Sequence, residues 1–113
     1  MNIVSLKGLN MDLTDAIKAY VETKLTALDK LVEGFGEAVQ ARVEVGKTTH
    51  HHKNGPYYRC EVNLSLPGRD LRAEEEREDL YEAIDVTADE LKRQLVDAKE
   101  RQQGRHAPRP DKE

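Results

Sequence analysis

Three groups of side chains in this chain have the types and spacing that chemistry or ligand binding uses: the consecutive His50, His51 and His52, the acidic run Glu74, Glu75, Glu76, Glu78 and Asp79, and the lone thiol of Cys60. Adjacent histidines first suggest a metal. Neighbours in a loop seldom converge on one ion without a further ligand, however, and no other Cys or His stands at zinc spacing. Their simpler role is at a loop tip that touches a polar partner and gains charge as pH falls below ~6.5. The acidic run has no calcium-loop spacing, phosphate-cradling glycine loop or nucleophile elbow beside it. It reads as helix N-terminal electrostatics, because acids before and within a first turn interact favourably with the helix dipole. Cys60 sits in an alternating apolar pattern and reads as a small buried hydrophobe rather than a nucleophile. No nucleophile is assembled with a base, so the chain is read as a non-enzyme with no metal and no cofactor.

What remains is charge, and its distribution is uneven. The net charge of −4 argues against an indiscriminate nucleic-acid binder, for which a basic footprint is expected. Residues 1–90 carry 11 Lys and Arg against 18 Asp and Glu, a balance of −7, whereas residues 91–113 carry 7 against 4, a balance of +3. Lys92, Arg93, Lys99 and Arg101 therefore stand in the cationic C-terminal fifth of the chain. No apolar run approaches the ~18 residues that span a bilayer, and MNIVSLKGLNMD has no basic region followed by an apolar signal core, so a cytoplasmic location is expected.

The element that positions those cations runs from Asp79 to Arg101. Leu80, Ile84, Ala88, Leu91, Leu95 and Ala98 recur at a single helical period and fall on one face. Lys92 and Lys99 project from one flank of that stripe, Arg101 and Arg105 from the other, and Glu82, Asp89 and Glu100 lie opposite it. A first helix is predicted from a Thr14 N-cap, with Ile17, Tyr20, Val21, Leu25, Leu28, Leu31 and Val32 as its apolar face and Gly34 as its end. Lys24 falls inside that face by angle. Its simpler reading is a stem along the core edge with the ammonium in solvent, its alternative a positioned phosphate contact.

Strands fill the remaining chain. Val4 and Leu6 alternate with Ser5 and Lys7 before Gly8; Val39, Ala41, Val43 and Val45 alternate with Gln40, Arg42 and Glu44; Tyr58, Cys60, Val62, Leu64 and Leu66 alternate with Arg59, Glu61, Asn63 and Ser65. Pro67 and Gly68 turn into a short fourth strand through Leu71, Ala73 and the acidic Glu74 to Glu76. The first two strands, joined by a crossover helix, can lie parallel, and the last three can form an antiparallel meander. The expected fold is α+β, β-α-β-β-β-α, with both helices on one face of a four-stranded sheet. On the open face Arg42, Arg59 and Arg72 alternate with Glu44, Glu61 and Glu74, which suits cross-strand ion pairs better than a binding surface. The tail from Gln102, with Gly104, Pro108, Pro110, Arg105, His106 and Arg109, has no apolar period and is expected to be disordered in isolation, giving a folded domain over 1–101 and a tail over 102–113.

LRAEEEREDLYEAID from Leu71 to Asp85, followed by DELKRQL from Asp89 to Leu95, resembles the strand-to-helix segment of the ribosome hibernation promoting factor and ribosome-associated inhibitor family. LKGLNMDLTDAIKAYVETKLTALDKL resembles that family's first strand and helix, so the likeness covers about residues 1–101. The resemblance implies a double-stranded-RNA-binding-domain-like fold that enters the small ribosomal subunit between head and body. There it would contact 16S rRNA, occupy the path of messenger RNA and the A- and P-site transfer RNAs, and inhibit translation by exclusion, as in stationary phase or stress. Lys92 or Arg93, Lys99 and Arg101 match the basic second helix, Lys24 a basic position of the first, and Lys47 and His50 the loop after the second strand; these are the implied RNA contacts. Glu90 and Asp97 depart from that pattern by standing where some members have lysine. With the chain ending at Glu113, the resemblance is to the short form, without the separate dimerisation domain of long members; a monomer is expected for the free protein. The competing reading is a protein-interaction modulator that docks a basic partner on the acidic segment from Glu74 to Asp79.

Overall fold

Alternating and helical periods resolve into a sheet covered on one side. A computed structural model describes residues 1–36, 38–48 and 57–102; the histidine loop tip, His50 included, and the tail with Arg105, His106 and Arg109 lie outside the described residues. The order is β1 (Asn2–Leu9), α1 (Asp15–Thr26), α2 (Asp29–Val32), a 3-10 turn (Glu33–Phe35), β2 (Gln40–Thr48), β3 (Tyr57–Leu66), β4 (Arg69–Arg77) and α3 (Leu80–Gln102). The sheet order is β1-β2-β3-β4, with β1 parallel to β2 and the other two pairings antiparallel. This is the α+β architecture expected from the alternation, because each strand has one apolar side to bury and the helices supply the cover. Among the described residues no helix is long and apolar enough to cross a membrane.

The helical layer is built on α3. Leu91 and Leu95 are fully buried, and Leu80, Ile84 and Ala98 join them in one core with Val43, Val45, Val62 and Leu64 of the sheet. α3 packs across β3 and β4, while α1 and α2 lie beside it on the same face. α1 begins where expected: the Thr14 hydroxyl accepts the Ile17 N–H at 3.1 Å. Contacts Tyr20 to Tyr81, Lys24 to Asp85 and Gly34 to Lys99 advance together along both segments, so α1 and α2 run in the same direction as α3.

Three local expectations are corrected. The first helix is not continuous: Leu28 (φ −94°, ψ 0°) bonds back to Leu25 in a tighter i to i−3 step, α2 restarts for one turn, and Gly36 at φ 105°, not Gly34, ends the helical run. The break brings Leu28, Val32 and Phe35 into the core together. In β1 the pairing with β2 shifts between Ile3 and Ser5, so Ile3 and Leu6 face the core and Val4 is 42% exposed. Glu74, Glu75 and Glu76 lie in β4, as expected of the fourth strand, so the role at the helix start expected of the whole acidic run is narrowed: Asp79 meets α3's first turn, accepting the Tyr81 N–H at 3.1 Å.

Candidate nucleic-acid interface

Each predicted contact residue is placed by the element that carries it. Burial of one stripe of α3 turns Lys92 and Lys99 toward the α1–α2 side and Arg101 toward the start of β4, while Arg93 lies nearly opposite the stripe and leans on Glu90, which shares Gln94 with the Arg72 carbonyl of β4. Lys92 and Arg93 are exposed, and the aliphatic part of Lys99 lies along Gly34, so close that a β-carbon there would come within 3.3 Å of Lys99 Cε. Lys47 stands near the end of β2, opposite Tyr58, and its carbonyl accepts from Asn10 Nδ2 at 3.2 Å. The set is therefore spread along the body: Lys47 sits at the end where α3 begins, Lys99 and Arg101 at the end where it stops. His50 is outside the described residues.

Lys24 is engaged inside the molecule. Its Nζ is 3.1 Å from Asp85 Oδ1 and 5.6 Å from the centroid of the Tyr20 ring. The Tyr20 hydroxyl donates to the same Asp85 oxygen at 2.6 Å, and its ring meets Tyr81 edge-on at 4.8 Å. The Tyr20 hydrogen bond, with a second from Lys24, holds the Asp85 carboxyl below the usual carboxylate range; the same contacts raise Lys24 and Tyr20. This cluster ties α1 to α3. It places Lys24 between its two predicted readings, at the core edge with an internal carboxylate as partner. Asp85 is the residue that sequence reasoning missed, because the pair spans two helices far apart in the chain.

Arg93 and Arg101 are also paired, each within its own helix. Arg93 Nη2 lies 2.5 Å from Glu90 and Arg101 Nη2 lies 3.3 Å from Asp97, both with side chains more than half exposed. Hydrogen bonds from Arg93 and then Gln94 bring the Glu90 carboxyl down to about 2, so it is ionised at any physiological pH. Arg69, also missed, comes off the β3–β4 turn to join Arg101, Phe35, Pro67 and Ala98 around a groove of about 180 Å³.

The open sheet face is self-satisfied. Arg59 reaches Glu44 at 3.1 Å, Glu61 at 2.5 Å and Glu74, and Arg72 reaches Glu61 and Glu74 at 2.7 Å each. Partial burial disfavours the Glu61 anion, but hydrogen bonds from Arg72, Arg59 and Asn63 outweigh it and carry its pKa down to about 2. A carboxyl held that low stabilises the fold fully above its unfolded value of about 4.5 and loses the contribution as pH falls toward 2. Glu61→Gln is accordingly expected to cost on the order of 2 kcal/mol near neutral pH. Urea unfolding at several pH values should show a smaller drop for the variant than for the parent between about pH 4.5 and 2; an unchanged pH profile would contradict this account of the network. Arg42, on the same face, is not among the arginines that pair with a carboxylate in the described residues.

The Cys60 thiol has no reactive setting. Cys60 is buried, and burial pushes its thiol up to about 11, where it stays protonated and unreactive. Among the described residues no three His, Cys, Asp or Glu side chains are gathered as metal ligands are.

Against known sequences, residues 4–103 match the family described as Sigma 54 modulation protein / S30EA ribosomal protein. The ribosome hibernation promotion factor of Deinococcus radiodurans is 36% identical over 97% of this chain and 58% of its own length. The ribosome hibernation promoting factor of Azotobacter vinelandii is 35% identical over 88% of this chain and 84% of its own. The chain thus spans little more than half of the first relative and most of the second. Among solved structures, the N-terminal domain of Protein Y from Thermus thermophilus superposes with a TM-score of 0.72 at 42% identity, covering 84% of this chain and 96% of that one.

Proposed function

Because the chain belongs to the Sigma 54 modulation protein / S30EA ribosomal protein family, we propose that it regulates translation by binding the small ribosomal subunit between head and body. There it occupies the path of messenger RNA and the A- and P-site transfer RNAs, silencing the ribosome by exclusion and making or breaking no bond. Support comes from relatives named for ribosome hibernation and, within this chain, from one observation above others: the cations of α3 project from a helix locked onto the sheet by its buried leucines. Recognition of folded RNA works through phosphate and 2′-hydroxyl contacts made by a rigid, shaped body, and an anchored helix presenting Lys and Arg provides that.

Contacts to 16S rRNA are assigned first to Lys92 and Lys99 of α3, with Arg93, Arg101, Lys47, His50 and Lys24 as further candidates, the arginines and Lys24 on release from Glu90, Asp97 and Asp85. Residues 1–101 form the binding body, residues 102–113 a tail, and the free protein acts as a monomer. The alternative, a docking segment from Glu74 to Asp79, loses ground because Glu74 and Glu75 are paired with Arg59, Arg72 and Arg77 and Asp79 caps α3. Sedimentation of the purified protein with small subunits at about 0.1 M salt tests the proposal. Co-migration that weakens steeply with added salt is expected; a protein left at the top of the gradient would remove the reading.

A further inference from the structure

The carboxylates along α3 are not shared evenly between its two flanks. Glu90 takes Arg93 in a forked contact, Nε to Oε1 at 3.0 Å and Nη2 to Oε2 at 2.5 Å. Gln94 braces that carboxylate, donating to it at 2.9 Å and to the Arg72 carbonyl at 3.0 Å. Two turns after Arg93, Arg101 leans on Asp97. On the opposite flank Lys92 and Lys99 are not among the cations that pair with a carboxylate in the described residues. Of the acids on that side of α3, Asp85 is engaged by Tyr20 and Lys24, and Asp89 lies within electrostatic reach of Lys24.

Resting on the proposal that the chain binds rRNA, we infer that α3 meets the phosphate backbone with its lysine flank, Lys92 and Lys99, while Glu90 and Asp97 keep the arginine flank silent. The reason is electrostatic. A phosphate gains affinity by displacing condensed counterions with protein cations. A guanidinium whose fork is filled by a carboxylate offers little net charge, and a phosphate that took the carboxylate's place would sit beside the anion it displaced. Glu90 and Asp97 are then affinity-setting residues: they cap how much of the helix's positive charge the RNA meets. Removing them would uncover Arg93 and Arg101, and Arg101 with Arg69 would form a cationic rim on the groove floored by Phe35 and Ala98.

Three surface double variants measured against purified small subunits between about 0.05 and 0.3 M salt test this, with Kd and its salt slope as the readouts. K92Q/K99Q is expected to weaken binding about tenfold or more and flatten the slope, whereas R93Q/R101Q should change Kd by less than about threefold. E90Q/D97N should tighten binding by about tenfold at 0.1 M salt and steepen the slope by about 1 to 2. Equal losses from the lysine and arginine pairs, or no gain from E90Q/D97N, would overturn the inference while the parent still binds. Failure of the parent protein itself to bind is read separately, and counts against the function proposed above.

Discussion

Small subunits are expected to lose the protein when Lys92, Arg93, Lys99 and Arg101 are all replaced by Glu. Reversing four charges on one helix replaces phosphate attraction by repulsion, so affinity at 0.1 M salt should fall by more than about a hundredfold. Folding should be spared, because the core stripe of Leu80, Ile84, Leu91, Leu95 and Ala98 is untouched. The Arg93→Glu and Arg101→Glu components act beyond the silence inferred for the arginine flank, since each places a second carboxylate beside Glu90 or Asp97. Co-sedimentation with matched circular dichroism spectra checks this, and a variant that still travels with the subunit would show that α3 does not face the RNA.

The largest effect on the fold itself is expected from Gly46→Ala. β1 runs so close beside β2 there, with Leu9 opposite Gly46, that an added β-carbon would sit 2.0 Å from the Leu9 carbonyl oxygen and 2.6 Å from Leu9 Cβ. The obstacle is backbone, so it has no rotamer into which to retreat, and β1, at the edge of the described sheet, must move away from β2. A loss of about 3 kcal/mol or more is expected, read as a fall in the urea midpoint. A midpoint within error of the parent would mean that β1 and β2 lie farther apart at Leu9 than the structure places them. β1 carries Ile3 and Leu6 into the core, so its release would loosen the layer that supports α1 as well.

Much of this architecture is written locally in the chain. The two-residue alternation from Val39 to Val45 and from Tyr58 to Leu66, and the helical spacing from Leu80 to Ala98, each report a neighbour that covers one side, and each became the predicted strand or helix. The Arg and Glu alternation on Arg42, Glu44, Arg59, Glu61, Arg72 and Glu74 foretold the cross-strand network, apart from Arg42. What local pattern could not carry was set by tertiary contact. The shift in β1 that exposes Val4 depends on how β2 lies beside it, and the break at Leu28 on what α3 offers Val32 and Phe35.

The candidate site was legible in the same partial way. Helical angle separated Lys92 and Lys99 from Arg101 and placed all three outside the buried stripe. Spacing of i to i+3 and i to i+4 already put Glu90 beside Arg93 and Asp97 beside Arg101, so their pairing was a signal available in the sequence. Asp85 as the partner of Lys24, and Arg69 as the neighbour of Arg101, had no such signal, since each joins elements distant in the chain. Residue type alone thus overstated the cationic surface: of the six predicted contacts within the described residues, Lys24, Arg93 and Arg101 carry internal carboxylate partners.

Exclusion from the decoding path makes the most direct demand on experiment. Small subunits programmed with messenger RNA and carrying labelled transfer RNA in the P site are titrated with the protein, and both bound species are counted after sedimentation. The account predicts that transfer RNA leaves as the protein binds, one molecule for one. Protein that co-migrates with the subunit while the transfer RNA stays in place would contradict it.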